Sequence, residues 1–143
     1  MAGETTSRSG IDAEVLPHAQ GPVLNSALWT TELATTQLEL NDVINMGYIP
    51  AGATLLGFYA YADDLDSNGA PALAWKITVG STDVKTGLTI GQATSVSTHS
   101  ITQFLGIDPI TTTEKTLVKV TFTTAAATAA AGTFVLCPVY IGN

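Results

Sequence analysis

Apolar and polar residues alternate along most of this chain, and the alternation predicts strands separated by short Gly/Pro corners. The firmest case is 73–79, LAWKITV. Leu73, Trp75, Ile77 and Val79 fall on one side, and Ala74, Lys76 and Thr78 on the other. Residues 116–123 repeat the pattern, with Val118, Val120 and Phe122 inward and Lys119, Thr121 and Thr123 outward. A third strand is predicted over 53–62, with Leu55, Tyr59 and Tyr61 on one side and Leu56, Phe58 and Ala60 on the other. Apolar residues on both sides predict little solvent on either face. Gly57 within it predicts a bulge or a close neighbouring backbone. Residues 133–141 are apolar on both parities, and Pro138 there implies an edge strand or a bulge.

The remaining segments carry weaker patterns. In 29–45, the alternation Gln37-Leu38-Glu39-Leu40 favours a strand, with Asn41-Asp42 as a turn or bulge. A short helix over 31–38 is the alternative, since Glu32 would suit its first turn. Tyr48-Ile49-Pro50-Ala51-Gly52 reads as a corner, and Asp108-Pro109 as another. Turn steps fall at Gly80-Ser81-Thr82-Asp83 and at Thr86-Gly87. Residues 93–106 read as an edge strand, or as a loop holding a short strand. Residues 125–131, AAATAAA, are too few to hold a helix alone, so they read as a hairpin connection or a cramped strand. The sum is an all-β chain: an antiparallel β-sandwich of roughly six strands, jelly-roll-like in its spacing. Periodicity does not separate a jelly roll from other sandwich topologies.

Residues 1–28 stand apart from the sandwich, which is expected over 29–143. They are rich in Gly, Ser, Thr and Pro, with isolated apolar residues at Ile11, Val15, Leu16, Val23 and Leu24. Pro17 and Pro22 oppose a continuous helix. Spaced apolar anchors favour an extended N-terminal arm that orders on a neighbouring subunit, a disordered tail being the alternative.

Composition shifts the picture toward association. Charged residues make up 12% of the chain, against an ordinary ~25%. A surface so short of charge raises few barriers to packing against other chains. The net charge is −7, and Arg8, Lys76, Lys85, Lys115 and Lys119 are scattered, which argues against nucleic acid and against anionic membrane surfaces. The opening MAGETTSRSG has no apolar core of a secretory leader, so none is expected. Residues 43–62 and 120–143 are free of charge and long enough to cross a bilayer. They are interrupted by Gly, Pro, Asn or Thr, so no membrane span is expected. Cys137 is the one cysteine, which excludes an intrachain disulfide and a thiolate cluster.

Candidate chemistry is thin. Asp64-Leu65-Asp66-Ser67-Asn68-Gly69 copies the first half of a calcium loop, and Asp63 adds a third carboxylate. The twelfth place, where such a loop needs a bidentate Glu, is Trp75. Turn chemistry in a solvent-facing hairpin accounts for these residues, with a hard-cation site on Asp63, Asp64 and Asp66 as the alternative. His18 and His99 have no partnered nucleophile, and no G-x-S-x-G elbow, Walker loop or dinucleotide fingerprint occurs. The expectation is a protein that is not an enzyme and takes no cofactor.

Three features occur together: Leu40-Asn41-Asp42-Val43-Ile44, then Ile49-Pro50-Ala51-Gly52-Ala53, then Asp63-Asp64-Leu65-Asp66-Ser67-Asn68-Gly69. With the Thr/Ala-rich close at 125–132 and the apolar strand after it, they resemble small structural proteins of tailed bacteriophages over residues 38–142. The resemblance implies a capsid decoration (cement) protein or a neighbouring head accessory protein. It implies a β-sandwich that forms homotrimers and bridges subunits of the major capsid protein on the outer surface of the virion, after synthesis in the host cytoplasm. It carries no functional residue. The arm residues Ile11, Val15, Leu16 and Pro17 are the expected capsid contacts. A tail, collar or fibre component is the alternative, and a calcium-dependent carbohydrate-binding sandwich a further one.

Overall fold

A computed structural model describes residues 23–92 and 103–142. Its strands are β1 (Leu24–Ser26), β2 (Trp29–Leu33), β3 (Val43–Ile49), β4 (Thr54–Ala62), β5 (Ala74–Val79), β6 (Thr82–Leu88), β7 (Gln103–Thr111), β8 (Thr116–Thr124) and β9 (Gly132–Ile141). One sheet runs β1-β9-β4-β7, with β2 also on β9; the other runs β3-β8-β5-β6. Every strand pairing is antiparallel. From β2 onward, the orders 2-9-4-7 and 3-8-5-6 are those of two Greek keys wrapped into a jelly roll. The expected all-β antiparallel sandwich is therefore the observed fold.

The core lies between the sheets and is filled from the predicted stripes. Leu73, Trp75, Ile77, Val118, Val120, Phe122, Phe134 and Leu136 are all fully buried. Trp75 on β5 meets Phe134 on β9 edge to face across the sandwich, with ring centroids 4.9 Å apart. Its indole N–H donates to the Ile90 carbonyl at 2.9 Å, so the largest core side chain buries no unpaired donor. Each such side chain contributes about 1.5–3 kcal/mol gross.

β4 corrects the parity read from its sequence. Leu55, Phe58, Ala60 and Ala62 are all fully buried, whereas Tyr59 is exposed. Register slips between Leu55 and Gly57 against both β7 and β9. This bulge at Gly57 moves one residue past the pleat and flips the faces beyond it. Leu55 and Phe58 thus share the core side, and Tyr59 and Tyr61 turn outward. The bulge itself was expected at Gly57; its consequence for the faces was not.

Other segments depart from the pattern for physical reasons. Residues 34–42 are not strand: a 3-10 turn spans Thr35–Gln37, and Asn41 turns the chain at φ 72°, a conformation Asn tolerates. Asp108-Pro109 is not a corner but lies inside β7. That strand is at the sheet edge, where a missing N–H breaks no ladder. Pro138 is not on an edge strand. It falls in the gap between β1, which ends against Val139, and β2, which begins against Leu136. β6 is a strand where the sequence shows only turn steps: its residues are mostly polar, and its register against β5 slips twice. Gly80 (φ 64°) opens the two-residue β5–β6 hairpin in the conformation that a primed turn needs.

Of the expected arm, residues 23–28 are described, and Leu24–Ser26 already pairs with β9. Ile11, Val15, Leu16, Pro17 and His18 lie outside the described residues, as does His99.

Candidate functional site

Alternation of strands between the sheets gathers the connections at two ends. At one end lie the β2–β3, β4–β5 and β8–β9 connections, with residues 89–92 of the β6–β7 connection. Asp66 sits at their centre with no exposed surface. Its Oδ2 accepts from the backbone N–H groups of Ala72 (2.7 Å), Ala127 (2.9 Å) and Leu73 (3.0 Å). Its Oδ1 accepts from Thr128 at 2.9 Å and Asn68 at 3.4 Å. Burial pushes the carboxyl pKa up, but the backbone donors outweigh it and hold the pKa down at about 2. One carboxylate thereby ties the β4–β5 connection to the β8–β9 connection. Leu65 continues the weave, donating to Gly91 and accepting from Ala130.

The three loop carboxylates do not converge. Asp63 Oδ1 accepts from the Tyr61 hydroxyl and Oδ2 from the Thr133 N–H, each at 2.8 Å. That hydrogen bond to Asp63 is the main cause raising the Tyr61 pKa. Asp64 is half-buried. Among the described residues, no group of three or more His, Cys, Asp or Glu side chains is arranged to hold a metal ion. Turn chemistry does operate beside them: the Ala70 N–H donates to Asn68 Oδ1 at 2.8 Å. Asp66, however, is a buried brace rather than a solvent-facing turn residue.

The opposite end is closed by Thr112, whose hydroxyl donates to the Pro50 carbonyl at 2.6 Å. Backbone bonds between Thr112 and both Gly52 and Ala53 complete the tie to the Pro-Ala-Gly corner.

The outer face of the β1-β9-β4-β7 sheet is where apolar surface remains open. Tyr59 pairs in register with Phe104 on β7 and with Cys137 on β9. The two rings are 5.1 Å apart and tilted, and both are exposed, at 40% for Tyr59 and 46% for Phe104. With Leu24, Leu56, Cys137 and Val139 they line an open groove of about 730 Å³, walled on one side by Asn25 and Ser26. No lining residue is charged. Burial pushes the Cys137 thiol pKa up, as for a small apolar filler rather than a nucleophile. Phe104 covers Gly57, where a Cβ would meet its ring at 2.5 Å and the Leu105 carbonyl at 2.6 Å. A second apolar strip follows the β3 edge, with Leu40, Val43 and Tyr48 exposed.

The sequence reading missed the groove because it took both faces of β4 as covered. The signal was present in the aromatic pair Tyr59 and Tyr61, which makes an outward face as readily as an inward one.

No family model and no curated protein matches the chain. Its fold does match solved structures. It is similar to a chain of the cyanophage Pam1 capsid asymmetric unit, with a TM-score of 0.75 and 22% identity, over 96% of this chain and 98% of that one. It is also similar to a chain of the capsid of Ralstonia phage GP4, with a TM-score of 0.65 and 19% identity, over 91% and 92% of the two chains. At these identities the likeness is one of fold.

Proposed function

We propose that this protein is a structural component of a bacteriophage virion that decorates the outer surface of the capsid and bridges subunits of the major capsid protein. The observation that carries the reading is end-to-end correspondence of the jelly roll with chains from two phage capsids. The match extends over nearly the whole of both chains in each case.

The physical chemistry agrees. A decoration protein holds neighbours together and needs no reactive centre. Its contribution is contact area repeated at every lattice position, so modest contacts sum to a large stabilisation. A chain with 12% charged residues and an exposed apolar sheet face is suited to such contacts. The protein assembles as a homotrimer in this reading, and Ile11, Val15, Leu16 and Pro17 contact the capsid. Cosedimentation of the purified protein with purified, expanded capsids tests it. The full chain is expected to pellet with the capsids, and replacement of Ile11, Val15 and Leu16 by Asp to abolish pelleting. Pelleting unchanged by the triple replacement removes the arm from the contact, and absence of pelleting by the full chain overturns the reading.

A further inference from the structure

The groove on the outer sheet face lies where the chain enters the fold, since Leu24, Asn25 and Ser26 are part of its wall. Residues 1–22 immediately precede that wall. From Ile11 to Val15, apolar and acidic residues alternate. Laid out as a strand, this stretch puts Ile11, Ala13 and Val15 on one face and Asp12 and Glu14 on the other. We propose that, before the capsid is met, the groove is occupied by this chain's own segment 11–16, with Ile11 and Val15 against Tyr59, Phe104 and Cys137. Occupancy of the groove does not rest on the capsid reading.

Reach permits it. The groove spans β1 to β7, three inter-strand spacings or roughly 14 Å. The eight residue steps from Leu16 to Leu24 cover up to about 26 Å when extended. Gly21-Pro22, just ahead of β1, is a sequence that suits the reversal the proposal needs. Polarity matches as well, because an uncharged apolar lining receives the apolar face while both acids stay in water. Covalent attachment makes the encounter intramolecular, at an effective concentration on the order of millimolar, above any ordinary concentration of second copies. Two apolar surfaces that would otherwise drive premature association thereby shelter each other.

Cys137, the single cysteine, lies inside the groove and reports on its occupancy. The experiment compares the rate of N-ethylmaleimide addition to the full chain with that for the Ile11→Asp/Val15→Asp chain, read by mass spectrometry. The altered chain is expected to react at least about tenfold faster and to melt only a few degrees lower, the loss that a tenfold-favoured occupancy implies, and an Ile11→Val/Val15→Ile chain to stay slow. Equal rates overturn the proposal. So does a wild-type Cys137 that reacts as fast as in the denatured chain, a result that does not depend on the variants folding. A mixing experiment separates a chain's own segment from a neighbour's. The Ile11→Asp/Val15→Asp chain is refolded together with a Cys137→Ser chain carrying the intact segment. Its Cys137 is expected to remain fast, and protection on mixing would assign the groove to a second copy and overturn the proposal. None of these readouts involves capsids, so their failure is distinct from failure of the capsid reading.

Discussion

Asp66 is the residue whose chemistry departs most from its sequence context. In a D-x-D-x-N-G string, an Asp reads as a ligand or a turn former, and its exposure is not legible because its donors lie on loops distant in sequence. Ala72 and Leu73 are near in the chain, but Ala127 and Thr128 are not. With the carboxylate committed to backbone N–H groups, Asp66→Asn turns an NH₂ toward donors. It is expected to cost about 2–4 kcal/mol in urea denaturation at neutral pH. The folded pKa of about 2 lies below the ordinary carboxylate value. The charged form is therefore the one stabilised by folding. Its contribution, about 2 kcal/mol, is complete above pH ~4 and is lost as pH falls through ~2. Stability profiles from pH 2 to 5 should show this loss in the wild type and lack that component in Asp66→Asn. Asn41 gives a second residue-scale check. At φ 72° it should accept Gly with little change, whereas Asn41→Val should lose about 1–2 kcal/mol, read as a lower melting temperature.

At the scale of elements, the strands with strict alternation were legible, and those whose register is broken were not. β5 and β8 face inward with the very residues their period picks out, because each is buried on one face and paired on both sides. β4 was located correctly but its faces were misassigned beyond Gly57, since periodicity carries no count of the extra residue in a bulge. The groove was lost with it: Tyr59 and Phe104 become an outward pair only after the slip. Gly57→Ala tests the account, because an added methyl would have to displace both the Phe104 ring and the Leu105 carbonyl. The expected cost is about 1–3 kcal/mol by thermal or chemical denaturation. Gly47 poses the same test on the other sheet, where a Cβ would run into the Trp29 indole. Gly47→Ala should lower stability by a similar ~1–3 kcal/mol and shift Trp29 fluorescence, while Trp75 in the core stays as it is.

At the scale of the molecule, the sandwich joins a well-filled interior to an outer face that is not finished by its own sheet. The interior explains why the chain folds, and the apolar outer face and the sparse charge explain why it would seek neighbours. The architecture class was legible in the chain because turn residues and alternation recur over its whole length. The jelly-roll order was not, since it depends on which strands pair across long separations, such as β4 with β9. The central proposal is that this fold serves as adhesive on a viral shell. Cryo-electron microscopy of the virion that carries the protein tests it most directly. The account predicts jelly-roll density repeated on the outer capsid lattice, three copies to a cluster, into which residues 23–142 fit. Density confined to the tail vertex, or a shell bare of this fold, would contradict it.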